Sequence, residues 1–255
     1  MKIDLNADLG EGFGPYSMGD DASLIPLLSS ANVACGFHAG DPHIMRETVK
    51  NTKLHGVDLG AHIGFQDLQG FGRRKINISL AELESLVIYQ LGALQGFASV
   101  EGHKLTHMSF HGALGNLIAA DNDLAQALLA VVASFDSQLI ISSSSSNAIE
   151  KATNNLGLQL ATNFIADRAY DTSGLLIPRS KPNSVISDEH IVLQRIEQLL
   201  NDGTVTCYNG AKIPMPAQSI LLHGDTSGAL NLAKKVREFI EVNGGIITPL
   251  STLSS

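Results

Sequence analysis

Nine histidines are spread along the 255-residue chain, and four of them directly follow short apolar runs and precede a glycine by one or two residues: His38 in GFHAG, His62 in GAHIG, His111 in SFHGA and His223 in LLHGD. An imidazole exchanges protons near neutral pH and, when neutral, offers a lone pair to a metal. Carboxylates recur in similar settings, Asp8 and Glu11 in NADLGEG and Asp167 in FIADR. These residue types suit general acid–base chemistry or the binding of a divalent ion. The chain has no HExxH and no CxxC, so no residue is assigned as a metal ligand from its spacing. It also lacks the GxSxG elbow of serine hydrolases and the GxxxxGK[ST] phosphate loop. Gly10, Gly12 and Gly14 do not match dinucleotide-binding spacing, and their segment reads as a flexible lid. Arg73 and Arg74 in GFGRR, and Arg168 after Asp167, are candidates to hold a carboxylate or phosphate through forked hydrogen bonds.

Short apolar runs that read as strands precede these residues: 2–7, 31–37, 57–61, 105–110, 138–142, 158–165 and 219–222. Helical stretches alternate with them. Asp41-Pro42 reads as an N-cap followed by proline at the first helical position, and Gly56 closes that helix. Ser79 and Glu82 have capping-box spacing at the start of a long helix ending near Gly102. Further helices are expected over 114–134, 146–156, 188–201 and 227–243. Seven strands alternating with helices predict an α/β fold, a parallel β/α barrel in a single domain spanning 1–255.

In such barrels the carboxyl ends of the strands face the active site. Six of the seven strand ends carry ionisable groups. A lone histidine is more often a hydrogen-bonded core residue than a catalyst, but four at equivalent places reverse that preference. Strand alternation puts Asp4, Asn6 and Asp8 on the lumen face and Ile3, Leu5 and Ala7 toward the helices. The same count sets His111 with Ser109 and His107, His38 with Asn32, and Asp167 with Asn163. Asp8, His38, His62, His111, Asp167 and His223 are therefore expected to converge as catalytic residues, with Asn6, Glu11, Arg73, Arg74 and Arg168 binding substrate. Two long loops are expected, 64–77 and 170–187, and long loops in compact domains are often functional. The run Ser142–Ser146 reads as a polar loop in preference to a site lining.

A net charge of −8, without a run of lysine or arginine, argues against a nucleic-acid partner. Asp4, Asp8 and Glu11 interrupt the N-terminus where a signal peptide needs an apolar core, and no apolar stretch approaches membrane-spanning length. A cytoplasmic protein is expected. Its two cysteines, Cys35 and Cys207, suggest packing residues and not a disulfide framework.

The segments DLNADLGEGFG, ANVACGFHAGDPHIM, GAHIGFQDLQGFGRR, FHGALGN, FIADRAY with LLIPR following, and LLHGDT resemble, in order and spacing, the LamB/YcsF family over essentially the whole chain. The resemblance implies a seven-stranded barrel similar to glycoside hydrolase/deacetylase barrels. It further implies opening of the lactam 5-oxoproline to L-glutamate at the expense of ATP, together with subunits B and C. Its motifs add Asp41, Asn116 and Asp225 as substrate-binding candidates, and a divalent metal remains a further cofactor to consider. The chain departs from the family pattern at Ser109, where relatives carry lysine, and at Asn163, where they carry glutamate. Loss of one member of a buried charge pair strands the other at a cost of about 3–5 kcal/mol, whereas joint replacement by neutral groups is tolerated. Ser109 and Asn163 are accordingly expected to be neighbours. The departures also keep two other classes open, a stand-alone metal-dependent amide hydrolase or deacetylase and a noncatalytic ligand-binding barrel.

Overall fold

A computed structural model describes residues 1–223 and 228–253. Seven parallel strands close into a barrel: β1 (Lys2–Leu9), β2 (Ser30–Ala34), β3 (Asp58–Ile63), β4 (Leu105–Phe110), β5 (Ile140–Ser143), β6 (Leu160–Ile165) and, after a β7–β8 hairpin (Thr204–Thr206 with Lys212–Pro214), β9 (Ser219–Leu222). Strand β9 pairs with both β6 and β1, which completes the ring. A two-residue strand, β10 (Ile246–Ile247), extends the sheet beside the start of β1. The helices are α1 (Asp21–Leu24), α2 (Pro42–His55), α3 (Leu80–Glu101), α4 (Gly112–Ala119), α5 (Asn122–Phe135), α6 (Asn147–Leu156), α7 (Glu189–Asp202), α8 (Ala229–Val242) and α9 (Leu250–Leu253).

The strand alternation predicted for β1 holds. Ile3, Leu5, Ala7 and Leu9 are buried in one apolar core with Val49 of α2, Leu91 and Leu94 of α3, and Leu128 and Leu129 of α5. The opposite face fills the lumen with hydrogen-bonded polar groups instead of aliphatic layers. Asp4 accepts from Ser29 and Ser219, Asn6 Nδ2 donates to Asn32 Oδ1 at 3.4 Å, and Asn163 bonds Ser142. Asn32 of β2 also meets His107 Nε2 of β4 at 3.1 Å, reaching over the intervening β3. Gly60 of β3 makes that possible, because a Cβ there would fall within the His107 ring.

The helix signals read from sequence operate as local chemistry predicts. Asp41 accepts from the backbone of His43 and Ile44, Ser79 and Glu82 form a reciprocal capping box, and Gly56 and Gly102 end their helices in the left-handed conformation. One long helix expected over 114–134 is in fact two, because the chain leaves α4 at Ala120 and Asp121 caps α5 through the N–H groups of Asp123 and Leu124. Strand β2 ends at Ala34, short of the expected residue 37, and Gly36 then turns the chain with φ of 86°. Strand β3 runs on to Ile63, so His62 lies within it. The segments 64–77 and 170–187 run without a helix or strand element, as expected.

Candidate functional site

Asp8 stands at the end of β1 with only 6% of its surface exposed. Its Oδ1 accepts from Asn32 Nδ2 at 2.9 Å, and its Oδ2 lies 3.5 Å from His62 Nε2. His62 reaches Ser109 Oγ through Nδ1 at 2.6 Å and His111 Nδ1 through Nε2 at 2.9 Å. His111 in turn bonds the Phe71 carbonyl through Nε2 at 2.8 Å. A carbonyl only accepts, so His111 carries its proton on Nε2 and turns the Nδ1 lone pair toward His62.

His38 arrives from the β2–α2 turn. Gly40 (φ 80°) lets this turn close against the chain after β1, since a Cβ there would sit 2.8 Å from the Gly10 carbonyl oxygen. The His38 ring stacks on His111 with centroids 3.9 Å apart and planes 8° from parallel, while its Nε2 meets Glu11 Oε1 at 3.3 Å. Phe71 has φ of 53°, an uncommon backbone for a bulky residue, and its ring stands edge-on to both imidazoles. Gly72 presses the same loop onto them, because a Cβ on it would lie 2.6 Å from His38 Cβ. Burial drives all three imidazoles toward neutrality, and neighbouring charges add to it, His111 and His62 acting on His38, His62 on His111, and His223 and His107 on His62. The His62 and His111 pKa values fall to about 3, and that of His38 lies well below the usual imidazole range.

One ring nitrogen from each of His38, His62 and His111 and one Glu11 oxygen lie within 4.8 Å of one another. Tetrahedral ligands at metal bonds of about 2.0–2.1 Å are roughly 3.3–3.4 Å apart, comparable with the 2.9, 3.3 and 3.8 Å separations here. Ser109 and the Phe71 carbonyl stand behind His62 and His111 as the outer partners that orient ligand imidazoles. The group has the donor chemistry to hold a divalent ion. Glu11, expected to touch substrate, is part of this cluster.

A second pair lies apart from it. His223 Nδ1 meets both Asp167 carboxylate oxygens at 2.8 Å, and His223 Nε2 lies 3.3 Å from an Arg179 nitrogen. Burial works against both charges, but their attraction prevails, raising the His223 pKa and lowering that of Asp167. Both groups open onto one cavity of about 390 Å³, whose walls include Asp8, His62, His111, Asn116, Arg73, Arg168, Arg179 and His223.

Other expected site residues lie elsewhere or are engaged by the surrounding structure. Arg74 turns outward and pairs with Asp67, its side chain 62% exposed. Asp41 is committed to capping α2 and to the Gly14 N–H. Asn6 sits deeper in the lumen beside Asn32. Arg168 spends its Nε and Nη2 on the Ser184 and Ile177 carbonyls, tying down the 170–187 loop. Asp225 lies outside the described residues.

Ser109 and Asn163 line the same cavity from β4 and β6, with β5 between their strands. Asn163 is bonded by Ser142 of β5, and Ser109 by His62. The serine run is both loop and lining, since Ser146 caps α6 while Ser142, Ser143 and Ser144 face the cavity. Arg179 and Asn32 were not singled out as site residues from sequence. Arg179 sits in the LLIPR segment of a long loop, and Asn32 shares the lumen face of His38, which are the signals that point to them.

A sequence model described as the LamB/YcsF family matches residues 3–255. The chain belongs to the LamB/YcsF family. It is 60% identical over 253 residues to the first of the 5-oxoprolinase A subunits of Pseudomonas syringae pv. tomato, covering 99% of each chain. Against the second 5-oxoprolinase A subunit of Ralstonia nicotianae the identity is 55% over 251 residues, covering 98% of this chain and 96% of the relative. The crystal structure of the lactam utilization protein from Thermus thermophilus superposes with a TM-score of 0.90 at 39% identity, over 98% of this chain and all of the other. The LamB/YcsF barrel is thus shared along the full chain. Among the described residues no single helix is long and apolar enough to cross a membrane.

Proposed function

We propose that this chain is the A subunit of an ATP-dependent 5-oxoprolinase, which with subunits B and C opens the lactam of 5-oxoproline to L-glutamate. Relatives bearing that name match it from end to end. The observation that carries the chemistry is that one cavity has His223, bonded from behind by Asp167, on one wall and Asp8 with His62 and His111 on another. Residues 1–255 act in this reading as one domain, and dependence on ATP supports a cytoplasmic setting.

An unactivated lactam resists hydrolysis because its carbonyl is a poor electrophile and its nitrogen a poor leaving group. Transfer of the ATP γ-phosphoryl to the carbonyl oxygen, releasing ADP, creates an imidate phosphate. Water adds to its carbon, the C–N bond breaks as a proton moves to nitrogen, and a second water hydrolyses the resulting acyl phosphate to glutamate and phosphate. Asp8, held by Asn32, is placed to orient the first water and take its proton. His223, biased toward its protonated form by Asp167, is placed to protonate the departing nitrogen. Environments that push titratable groups in opposite directions divide acid from base in this way.

Glu11, His38, His62 and His111 would hold a divalent ion. When bound there, the ion polarises an oxygen or lowers the pKa of a water. That cluster supports a second reading, a stand-alone metal-dependent amide hydrolase. Incubating the purified chain with 5-oxoproline, with and without ATP, added metal and subunits B and C, separates the two. Glutamate only with ATP, B and C supports the first reading, and glutamate from the chain plus metal alone supports the second. Asp8→Ala or His111→Ala is expected to abolish glutamate formation while leaving the circular dichroism spectrum unchanged. Full activity in both variants would falsify the site.

A further inference from the structure

Three lumen residues on adjoining strands share one level of the barrel. The strand register pairs Asn32 of β2 with Gly60 of β3, and Gly60 with His107 of β4. The His107 ring lies across Gly60, where a Cβ would come within 2.1 Å of Nε2, and so reaches Asn32 Oδ1 at 3.1 Å. On its other side Asn32 donates through Nδ2 to Asp8 Oδ1 at 2.9 Å. Asn32 and His107 are fully buried, and among the described residues neither lines the cavity that Asp8 borders. His107 therefore reaches Asp8 from behind, through one amide.

Hydrogen-bond chemistry gives this chain of contacts one direction. As the base of the proposed reaction Asp8 is a carboxylate, and a carboxylate only accepts. Asn32 must then turn its NH2 group to Asp8, which commits its oxygen to the opposite side. That oxygen meets Asn6 Nδ2 at a long 3.4 Å, and the shorter bond is the one from His107. Burial lowers the His107 pKa, so its ring is neutral at pH 7 and has a single N–H to give. The N–H sits on Nε2, and Nδ1 faces the Thr106 hydroxyl at 2.9 Å. We propose that His107 is a positioning residue for Asp8: its Nε2–H fixes the Asn32 amide, and the amide fixes the carboxylate that takes a proton from water. This role rests on the oxoprolinase reading for the step that Asp8 performs. The 2.9 Å bond from Asn32 is shorter than the 3.5 Å contact of Asp8 Oδ2 with His62, so the amide sets the aim of the carboxylate.

Glutamate formation by the full-length chain with subunits B and C tests the role, comparing wild type, His107→Phe, His107→Gln, Asn32→Leu and the double variant of His107→Phe with Asn32→Leu. Circular dichroism and thermal melting are the folding controls. His107→Phe keeps a ring without an N–H, and is expected to lower kcat about ten- to a hundredfold while the KM for 5-oxoproline stays within about twofold. His107→Gln, whose amide N–H can still donate to Asn32, is expected to recover most of that loss. The double variant should be no slower than Asn32→Leu alone, because His107 acts only through Asn32. A folded His107→Phe with wild-type kcat, a Gln variant as slow as the Phe variant, or losses that multiply in the double variant overturns the proposal. Should the His107 variants fail to fold, nitrogen-15 NMR of histidine-labelled wild type decides. His107 is expected to carry its proton on Nε2, and a proton on Nδ1 would leave Asn32 Oδ1 without this donor and sink the proposal. A wild type that forms no glutamate with B and C would remove the oxoprolinase reading, and the tautomer of His107 would still test the contact on which the positioning depends.

Discussion

His223 and Asp167 form a partly buried pair in which one imidazole nitrogen lies 2.8 Å from both carboxylate oxygens. The other nitrogen of His223 is turned toward Arg179 and the cavity. This arrangement singles out His223 among the four histidines at the strand ends, since burial lowers the pKa of His38, His62 and His111 whereas Asp167 raises that of His223.

The pair fixes a pH window for stability. Asp167, with its folded pKa below the reference 3.8, contributes stability that is present above 3.8 and lost as pH falls through the depressed value. His223, with its folded pKa above the reference 6.5, contributes stability that is complete below 6.5 and lost as pH rises through the raised value. The pair therefore stabilises most between these reference values. Asp167→Asn is expected to lower the His223 pKa, read from NMR titration of its ring protons, and to lower the melting temperature most within that window. An unchanged His223 titration would refute the pairing.

Asp4 has the opposite sign. Burial raises its pKa to about 6, although Ser219, Ser29 and Ser30 bond its carboxyl. The native state then binds the Asp4 proton more tightly than the unfolded chain, so this contribution is present below the reference 3.8 and lost as pH rises through about 6. A shift of this size corresponds to at most about 3 kcal/mol. Urea unfolding of wild type and Asp4→Asn at pH 4 and pH 7 is expected to show the wild type losing stability relative to the variant at the higher pH. A difference independent of pH would show that Asp4 does not titrate in this range.

Two glycine substitutions should move stability in opposite directions. Gly60→Ala drives a methyl into the His107 ring and is expected to cost at least about 1–3 kcal/mol, the usual penalty of overpacking a filled interior. Gly92 is exposed within α3 with nothing near its Cβ position, so Gly92→Ala is expected to add about 0.5–1 kcal/mol through helix propensity. Denaturant midpoints check both. Equal effects would mean that the lumen has room at Gly60.

The Glu11–histidine cluster makes a prediction that needs no turnover. Added zinc or manganese is expected to raise the melting temperature of the wild type, with stabilisation of about 2.7 kcal/mol at a hundredfold excess over Kd. Glu11→Gln is expected to lose most of that response. A shift of equal size in the variant would place the ion elsewhere.

Strand positions, the lumen face of β1 and the helix caps were legible because each is a local property. Alternation over a few residues marks a strand, and Asp41-Pro42 or Ser79 with Glu82 marks a helix start. The break before Asp121 was hidden by apolar residues that continue at helical spacing through Ala119 and Ala120. The hairpin β7–β8 was missed because its strands are three residues long and carry no clear alternation. At the site, strand order brought His62, His111 and Asp8 to one end of the barrel, but no local pattern says that Glu11 folds back onto them. Arg73 and Arg74 are neighbours in sequence with different fates, because Asp67 within the same loop captures only the second.

The left-handed backbone at Phe71 carries a consequence beyond its own turn. Its carbonyl is the acceptor that keeps the His111 proton on Nε2, and its neighbour Arg73 stands at the cavity mouth. Displacing this loop would strip a buried N–H of its acceptor and remove the bond that fixes which ring nitrogen of His111 carries the proton. Loop position and proton position on His111 are therefore a single coordinate, so contact with the outside of the protein at residues 64–77 is felt as a change of tautomer at its centre.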